Sequence, residues 1–192
     1  MNVMYEEEKI MKKVLSILLC LALLLSCAAA IGEAAEKTNL GSVNVNGDFT
    51  LQCAMPEGYS LKVTSSDNMG VSADLTSEDE TKPILRLVLG FSDIWSDYER
   101  LNDVPEDELK EIEDSFYEEG GPDTKISYTE TEHGTKLLIA RMPDDSVGAI
   151  YSMYKGYEVE FTLVPAEGQT LTDEQFDLCV KFLSDLDFVE AQ

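Results

Sequence analysis

Short stretches in which apolar and polar residues alternate constrain the fold of this chain more than any other feature of its sequence. In residues 157–163, aromatic and aliphatic side chains occupy every second position, with glutamate and threonine between them. Successive side chains of a β-strand point to opposite faces, so this period of two predicts a strand with one buried face. Seven more strands are predicted, at residues 49–53, 59–63, 71–75, 84–89, 126–128, 137–140 and 149–154. The stretch at 84–89 is almost continuously apolar and predicts a central strand.

Two stretches have the period of an amphipathic helix instead. The first follows Pro105, whose missing N–H costs nothing in a first helical turn, and it places Leu109, Ile112 and Phe116 on one face. The second follows Thr172 and turns inward Phe176, Cys179, Val180, Leu183 and Leu186. The predicted order is therefore β-β-β-β-α-β-β-β-β-α. Short turns between strands indicate an antiparallel meander, so we predict an α+β fold: a twisted antiparallel sheet of seven to eight strands packed by two amphipathic helices.

Three parts of this pattern carry a resemblance to a known family. They are the strand at 49–51 that runs into residues 55–59, the meander over residues 125–164 with its YEVEF segment at 157–161, and the closing helix at 173–186. Together they resemble the PsbP-like fold, which is named for an accessory protein of photosynthetic oxygen evolution and is shared by bacterial lipoproteins. The match covers most of the mature chain without an invariant motif. The resemblance implies a binding or accessory role rather than catalysis, and it transfers no functional residue.

The N-terminal segment is interpreted as an export signal. Residues 11–32 begin with Met-Lys-Lys, continue with an uncharged apolar run over 14–25 and end in small residues. That run is shorter than the roughly 20 residues that a membrane-spanning helix needs, and it has the length of the apolar part of a signal peptide. Residues 1–10 contain three consecutive glutamates and are interpreted as a mis-called extension ahead of a start at Met11.

Two cleavage sites are compatible with this signal. The sequence LLSC at residues 24–27 resembles a bacterial lipobox, in which Cys27 is lipidated and becomes the mature N-terminus. The sequence AIG at residues 30–32 fits ordinary cleavage instead. Either site predicts an exported protein, extracellular or membrane-anchored as a lipoprotein. Beyond the signal we predict a flexible leader over residues 33–46 and a single domain over residues 47–192.

The charge of the chain restricts its partners. The sequence has 38 acidic and 14 basic residues, which give a formal net charge of −24. Such a surface repels nucleic-acid phosphates and anionic lipids, so we predict no nucleic-acid partner and membrane association only through a lipid anchor at Cys27. A protein or another cationic ligand at the cell envelope is the partner that this charge favours.

The sequence contains no common catalytic motif. It lacks the nucleophile-elbow, phosphate-loop, zinc-protease and dinucleotide-binding patterns. Its one histidine, His133, lies in a predicted turn beside Gly134, where a general base would lack a shielded site and an orienting partner. Carboxylates are so numerous that a glycosidase-like pair arises by chance. We therefore predict no catalytic residue and no cofactor.

Calcium is the metal to consider in an exported acidic protein. No Asp-x-Asp-x-Asp-Gly loop is present, and most acids between residues 93 and 123 lie on the outer face of the first predicted helix, where they do not converge on one ion. A solvated acidic face is the preferred interpretation, and no metal ligand is assigned. The loop at residues 78–80 is the first choice if a calcium site exists.

Two cysteines remain in the mature domain. Cys53 is predicted on the apolar face of a strand and Cys179 on the apolar face of the last helix, so both point into one core. An exported compartment permits a Cys53–Cys179 disulfide. Two buried free thiols that behave as small apolar residues are the alternative.

Aromatic residues supply the candidate binding positions. Trp95 and Tyr98 lie in a predicted loop, where they form either a recognition patch or an anchor on the core. Tyr151 and Tyr157 lie on neighbouring strands of one hairpin, where they form either a ligand platform or a cross-strand packing pair.

These expectations combine into an exported cell-envelope binding or accessory module without catalysis. The alternatives are a hydrolase that uses paired carboxylates and a calcium-stabilised structural module. Aromatic residues that line a cleft beside a carboxyl group of raised pKa would carry weight for the hydrolase, whereas the mere number of acids carries none.

Overall fold

The computed structural model describes residues 37–45 and 47–190. The predicted N-terminal extension, the signal peptide, its two cleavage sites and the lipidation site at Cys27 all lie outside these ranges. Within them, neither α-helix combines the length and the apolar character that crossing a bilayer requires.

The described residues form ten β-strands and two α-helices. In chain order these are β1 (Lys37–Val43), β2 (Phe49–Ala54), β3 (Ser60–Ser66), β4 (Gly70–Thr76), β5 (Ile84–Phe91), α1 (Glu106–Gly120), β6 (Lys125–Glu130), β7 (Lys136–Arg141), β8 (Gly148–Tyr154), β9 (Tyr157–Val164), α2 (Asp173–Ser184) and β10 (Asp187–Glu190). Single 3-10 turns lie at Asp93–Trp95, Leu101–Asp103 and Pro143–Asp145.

The strands form two antiparallel sheets. Seven strands make the large sheet in the order β3-β4-β5-β9-β8-β7-β6, and three make a small sheet in the order β1-β2-β10. The predicted α+β class is confirmed, and β5 lies inside the large sheet between β4 and β9. The structure differs from the predicted single sheet because β2 pairs with β1 and β10 rather than with β3.

The predicted flexible leader at residues 33–46 is wrong for Lys37–Val43, which form β1. This strand pairs with β2 and buries Leu40 and Val43, each with 1% of its surface exposed. The register shifts between Asn39 and Gly41, so the two buried residues lie three positions apart instead of two. This bulge hides the strand from a search for strict alternation.

Both helices bury the faces that their periodicity predicts. α1 buries Leu109, Ile112 and Phe116, and it ends before Gly121, whose φ is 87°. α2 begins with a capping box in which Thr172 and Gln175 satisfy each other's backbone N–H groups. Its buried residues are Phe176, Cys179, Phe182, Leu183 and Ser184, whereas Val180 and Leu186 are only partly buried.

One face of the large sheet, which we call the covered face, packs against the small sheet and α2. Its core joins Leu51 of β2, Leu87 of β5, Phe161 of β9 and Phe182 of α2. The rings of Phe161 and Phe182 lie 4.9 Å apart between centroids. Apolar side chains from these four elements are therefore removed from water together on this side.

The opposite face, which we call the cleft face, is covered only in part. α1 packs over β7 and β8, where Ile112 and Phe116 join Leu138 and Tyr151 in a second core. On β5 the same face remains open to solvent, and Val88 is 41% exposed there. The part of the cleft face that α1 covers therefore stops at the middle of the sheet, beside β9.

Cys53 and Cys179 are both buried in the core of the covered face, as predicted, but they are free thiols and form no disulfide in this structure. Burial raises the pKa of Cys53 to about 11, and burial also raises the pKa of Cys179. Both thiols therefore stay protonated at neutral pH and pack as small apolar residues.

Candidate functional site

A cleft of about 380 Å³ lies on the cleft face, where the cover of α1 ends beside β9. We call it the acidic cleft. Its size is within the range of small-molecule sites. It is lined by three aromatic rings, four carboxylates and three other side chains: Ile94, Trp95, Glu111, Ile112, Ser115, Phe116, Glu119, Tyr151, Glu158 and Glu160.

The periodicity of α1 and β9 brings the four carboxylates to this place. Glu111 and Glu119 lie on one side of α1, two helical turns apart. Glu158 and Glu160 are two positions apart on β9, so both point to the cleft face. Tyr151 of β8 is the register partner of Glu160, which places the phenol ring directly beside this carboxylate.

The aromatic wall comes from three different elements. Phe116 of α1 and Tyr151 of β8 meet edge to face, with 6.1 Å between ring centroids and 72° between planes. Trp95 belongs to the 3-10 turn after β5, and its ring lies 6.3 Å from that of Tyr98. Phe116 and Tyr151 therefore orient each other at the cleft, and Trp95 is oriented by its contact with Tyr98.

The surroundings of Glu160 raise the pKa of its carboxyl group. Burial raises its pKa, the charges of Glu119 and Glu158 raise it further, and a hydrogen bond from the Thr162 hydroxyl opposes them. Thr162 Oγ1 donates to Glu160 Oε1 over 3.0 Å. Burial, together with Glu158 and Glu160, also raises the pKa of Tyr151.

No lysine, arginine or histidine is among the ten residues that line the acidic cleft. The four carboxylates therefore have no positive side chain inside the cleft to balance them. Glu160 is partly buried, and the charges of Glu119 and Glu158 act on it more strongly there than they would in water. A positively charged group that enters the cleft relieves this repulsion.

The structure brings two of the four predicted binding residues together. Trp95 and Tyr151 both line the acidic cleft, although each is mostly buried, with 9% and 5% of its surface exposed. Of the two alternatives for Trp95, the structure therefore favours the anchor of its turn on the core over an exposed recognition patch. Its neighbour Tyr98 donates its hydroxyl to the carboxylate of Glu108 over 2.9 Å.

Tyr157 lies elsewhere and does not belong to the acidic cleft. It is fully buried on the covered face, and its hydroxyl oxygen accepts the backbone N–H of Val45 over 3.1 Å. Its ring meets Phe91 edge to face, with 5.5 Å between centroids. Tyr157 is therefore a core residue, and the ligand platform of Tyr151 and Tyr157 is not formed because β8 and β9 present them on opposite faces.

The sequence did not single out the carboxylates of the cleft. The signal lay in the YEVEF segment, where both polar positions of a central strand are glutamates. A strand flanked on both sides by other strands normally carries fewer charges there.

No acidic group of the described residues forms a metal site. Among residues 37–45 and 47–190, no three His, Cys, Asp or Glu side chains lie close enough together to hold an ion. In the loop at 78–80, Asp79 Oδ1 instead accepts the hydroxyl and the backbone N–H of Thr81. Lys82 lines a surface pocket together with Glu78 and Asp79, and it donates to the backbone oxygen of Glu57 over 3.2 Å.

Comparison with known proteins adds nothing to the geometry of the site. No protein-family model and no curated protein sequence matches this chain.

Proposed function

We propose that this protein is an exported binding module of the cell envelope and that its acidic cleft binds an organic cation. The ligand group is an alkylammonium or a guanidinium, carried by a small molecule or by a side chain of a partner protein. One observation carries the proposal: Glu160 lies partly buried among Glu111, Glu119 and Glu158, beside three aromatic rings and without a basic side chain in the lining. A bound cation supplies the missing charge.

The composition of the cleft favours an organic cation over a metal ion. A metal needs several oxygen atoms within about 2.6 Å of one point. An alkylated ammonium or guanidinium group instead spreads its charge, and it is attracted by the faces of Trp, Tyr and Phe rings within about 6 Å. Trp95, Phe116 and Tyr151 supply such rings on the walls that also hold the carboxylates.

The proposed location outside the cytoplasm rests on the N-terminal signal, and the resemblance to PsbP-like proteins supports an accessory role there. The test is the intact mass of the protein purified from its native envelope. A mature chain that begins at Cys27 and carries acyl groups would mark a membrane-tethered lipoprotein, and one that begins near Glu33 would mark a secreted protein. A chain that retains residues 11–32 would contradict export.

The acidic cleft contains its own reporter, because Trp95 is the single tryptophan of the chain. We expect n-butylammonium and n-butylguanidinium to change the fluorescence of Trp95 in a saturable way. Butyrate and n-butanol, which have the same alkyl chain without the positive charge, should give no saturation. The affinity of the two cations should fall as salt is added, because screening weakens their attraction to the carboxylates.

Two adjacent glutamates of α1 provide a matched pair of variants. Glu119 lines the cleft and Glu118 does not, while each replacement by glutamine removes one negative charge. Glu119→Gln should weaken cation binding severalfold, Glu160→Gln should weaken it roughly tenfold or more, and Glu118→Gln should leave it nearly unchanged. Equal effects of Glu118→Gln and Glu119→Gln would show that the cations respond only to net charge.

The same cleft also favours a second candidate, a hydrolase that uses paired carboxylates. A general acid needs a raised pKa, and Glu160 has one beside aromatic walls that can stack on a sugar ring. Release of nitrophenol from nitrophenyl glycosides, abolished by Glu160→Gln, would establish this activity. Cation binding without any turnover of the glycosides would leave the binding module as the function.

A further inference from the structure

A second cavity, of about 210 Å³, lies on the other side of the large sheet, between its covered face and the chain that leads from α2 into β10. Its base is formed by Leu137 and Val159, which are 1% and 3% exposed. One wall is aromatic, because the rings of Tyr154 and Phe188 stack with 3.9 Å between centroids. We call it the hydroxyl cavity, for the side chains described next.

Buried hydroxyl groups are concentrated at this cavity. The described residues contain four buried polar side chains, and three of them, Thr131, Ser152 and Ser184, line it. A buried hydroxyl group destabilises the fold unless it is hydrogen-bonded, so apolar cavities that serve only packing are not expected to collect them. All three hydroxyl groups have backbone partners, which permits their burial, and each keeps a further hydrogen-bonding position that a group in the cavity can use.

The direction of the existing hydrogen bonds defines which polar atom the cavity receives. Ser152 Oγ donates its proton to the backbone oxygen of Lys136 over 3.1 Å, and Ser184 Oγ donates to that of Val180 over 3.0 Å. A hydroxyl group has one proton and two lone pairs. With their protons already directed to the backbone, the two serines can offer a ligand only acceptors.

The turn at the edge of the cavity is fixed in place by Thr131. Its Oγ1 accepts the backbone N–H groups of His133 and Thr135, over 3.3 and 3.1 Å. His133 thereby becomes part of the lining although its turn lies at the surface. Asp187 also lines the cavity, but its carboxylate is paired with the ammonium group of Lys37 and does not require a cation from the ligand.

We propose that the hydroxyl cavity binds a small uncharged aromatic molecule that carries a hydrogen-bond donor, such as a phenol or an indole. The size is sufficient, because an apolar cavity of about 150 Å³ is known to hold benzene. The stacked rings of Tyr154 and Phe188 provide an aromatic surface, and the oxygen atoms of Ser152 and Ser184 accept the ligand's O–H or N–H. An anionic ligand is disfavoured by the net charge of −24. This inference does not depend on the acidic cleft, which opens on the opposite face.

Phenol and toluene are the probes, because they have nearly the same shape and only phenol carries a donor. Binding to the intact mature protein is followed by the shifts of backbone amide signals in NMR titrations. We expect phenol to bind about threefold to tenfold more tightly than toluene, the ratio that one neutral hydrogen bond supplies. The signals that shift should belong to the lining of the hydroxyl cavity.

The double variant Ser152→Ala, Ser184→Ala removes both acceptors and leaves the apolar surfaces. It should lower the affinity for phenol to that for toluene, and its unchanged toluene binding shows that the cavity is intact. Glu160→Gln, on the other face, should change neither affinity. Equal binding of both probes to the unaltered protein, phenol affinity that survives in the double variant, or a cavity that binds neither probe and holds water alone would each overturn the proposal.

Discussion

The two faces of the large sheet differ sharply although the same strands build both. On β5, Leu85, Leu87 and Leu89 are at most 1% exposed on the covered face, whereas Ile84 and Val88 are 45% and 41% exposed on the cleft face. On β9 the alternation separates Val159 and Phe161 from Glu158 and Glu160 in the same way. One face therefore carries apolar contacts across three layers, and the other carries charge beside an incomplete cover.

The two faces therefore have different roles under the proposed function: the covered face stabilises the fold, and the cleft face binds the ligand. The covered face removes most of the large apolar side chains from water, which is the main favourable contribution to folding. The cleft face gathers carboxylates, and burial together with the charges of Glu119 and Glu158 makes the ionised form of Glu160 unfavourable; under the proposed function a bound cation offsets this. A substitution on the covered face should therefore lower the stability far more than one on the cleft face, and removal of the Glu160 charge should raise it.

The largest expected effect is on the covered face of β5. Leu87→Ala removes a fully buried side chain and leaves a cavity in the core, so we expect the free energy of unfolding to fall by about 2–5 kcal/mol. Val88→Ala, at the next residue and on the open part of the cleft face, should cost less than about 1 kcal/mol.

Urea denaturation of the two variants measures the contrast directly. Similar losses for Leu87→Ala and Val88→Ala would contradict the division between the faces, because they would mean that the open part of the cleft face is covered in solution. A change in the slope of unfolding free energy against urea would instead point to altered compactness of the unfolded state.

The strands and helices of the large sheet could be predicted because their buried positions follow strict periods. In β9 every second side chain is buried, and in α1 Leu109, Ile112 and Phe116 repeat at helical spacing. β1 was not predicted because its bulge between Asn39 and Gly41 interrupts the period. The strands that pair with β2 were not predicted either, because alternation shows that a strand has a buried face but not which strand lies beside it.

Only part of the candidate site could be predicted from the sequence. Trp95 and Tyr151 were recognised by residue type, and the structure places both at one cleft. Glu160 was not recognised, because the sequence displays 38 acidic residues and nothing that distinguishes a partly buried one. Its burial depends on α1, which lies over 40 residues earlier in the chain and covers β8 but stops beside β9.

Replacement of Glu160 is expected to change the free energy of unfolding less than Leu87→Ala does, and in the opposite direction. The pKa of Glu160 is raised in the folded protein, so folding favours the protonated form. The resulting stability is complete below about pH 4.3, the pKa of an unfolded glutamate, and it is lost as the pH rises through the raised folded value. Glu160→Gln should therefore increase the free energy of unfolding at pH 7 and change it little at pH 4, since glutamine still accepts the Thr162 hydroxyl.

Denaturation at the two pH values tests this sign, with Glu118→Gln, an exposed residue of α1, as the control for a lost surface charge. A less stable Glu160→Gln protein at pH 7 would mean that the carboxylate has a positive partner in solution. In that case the acidic cleft would be balanced internally, and the reason for a cationic ligand would disappear.

The smallest effect concerns the ion pair on the open part of the cleft face. Arg86 Nε donates to Asp74 Oδ1 over 2.9 Å across β5 and β4, and 59% of the Arg86 side chain is exposed. Exposed pairs contribute little because water and salt screen them, so a double-mutant cycle with Arg86→Ala and Asp74→Ala should give a coupling energy near zero, decreasing with added salt. A coupling well above this value that resists salt would require the pair to be shielded from water. The open half of the cleft face would then be covered by another molecule in solution. The two faces would differ in what covers them, and not in whether they are exposed.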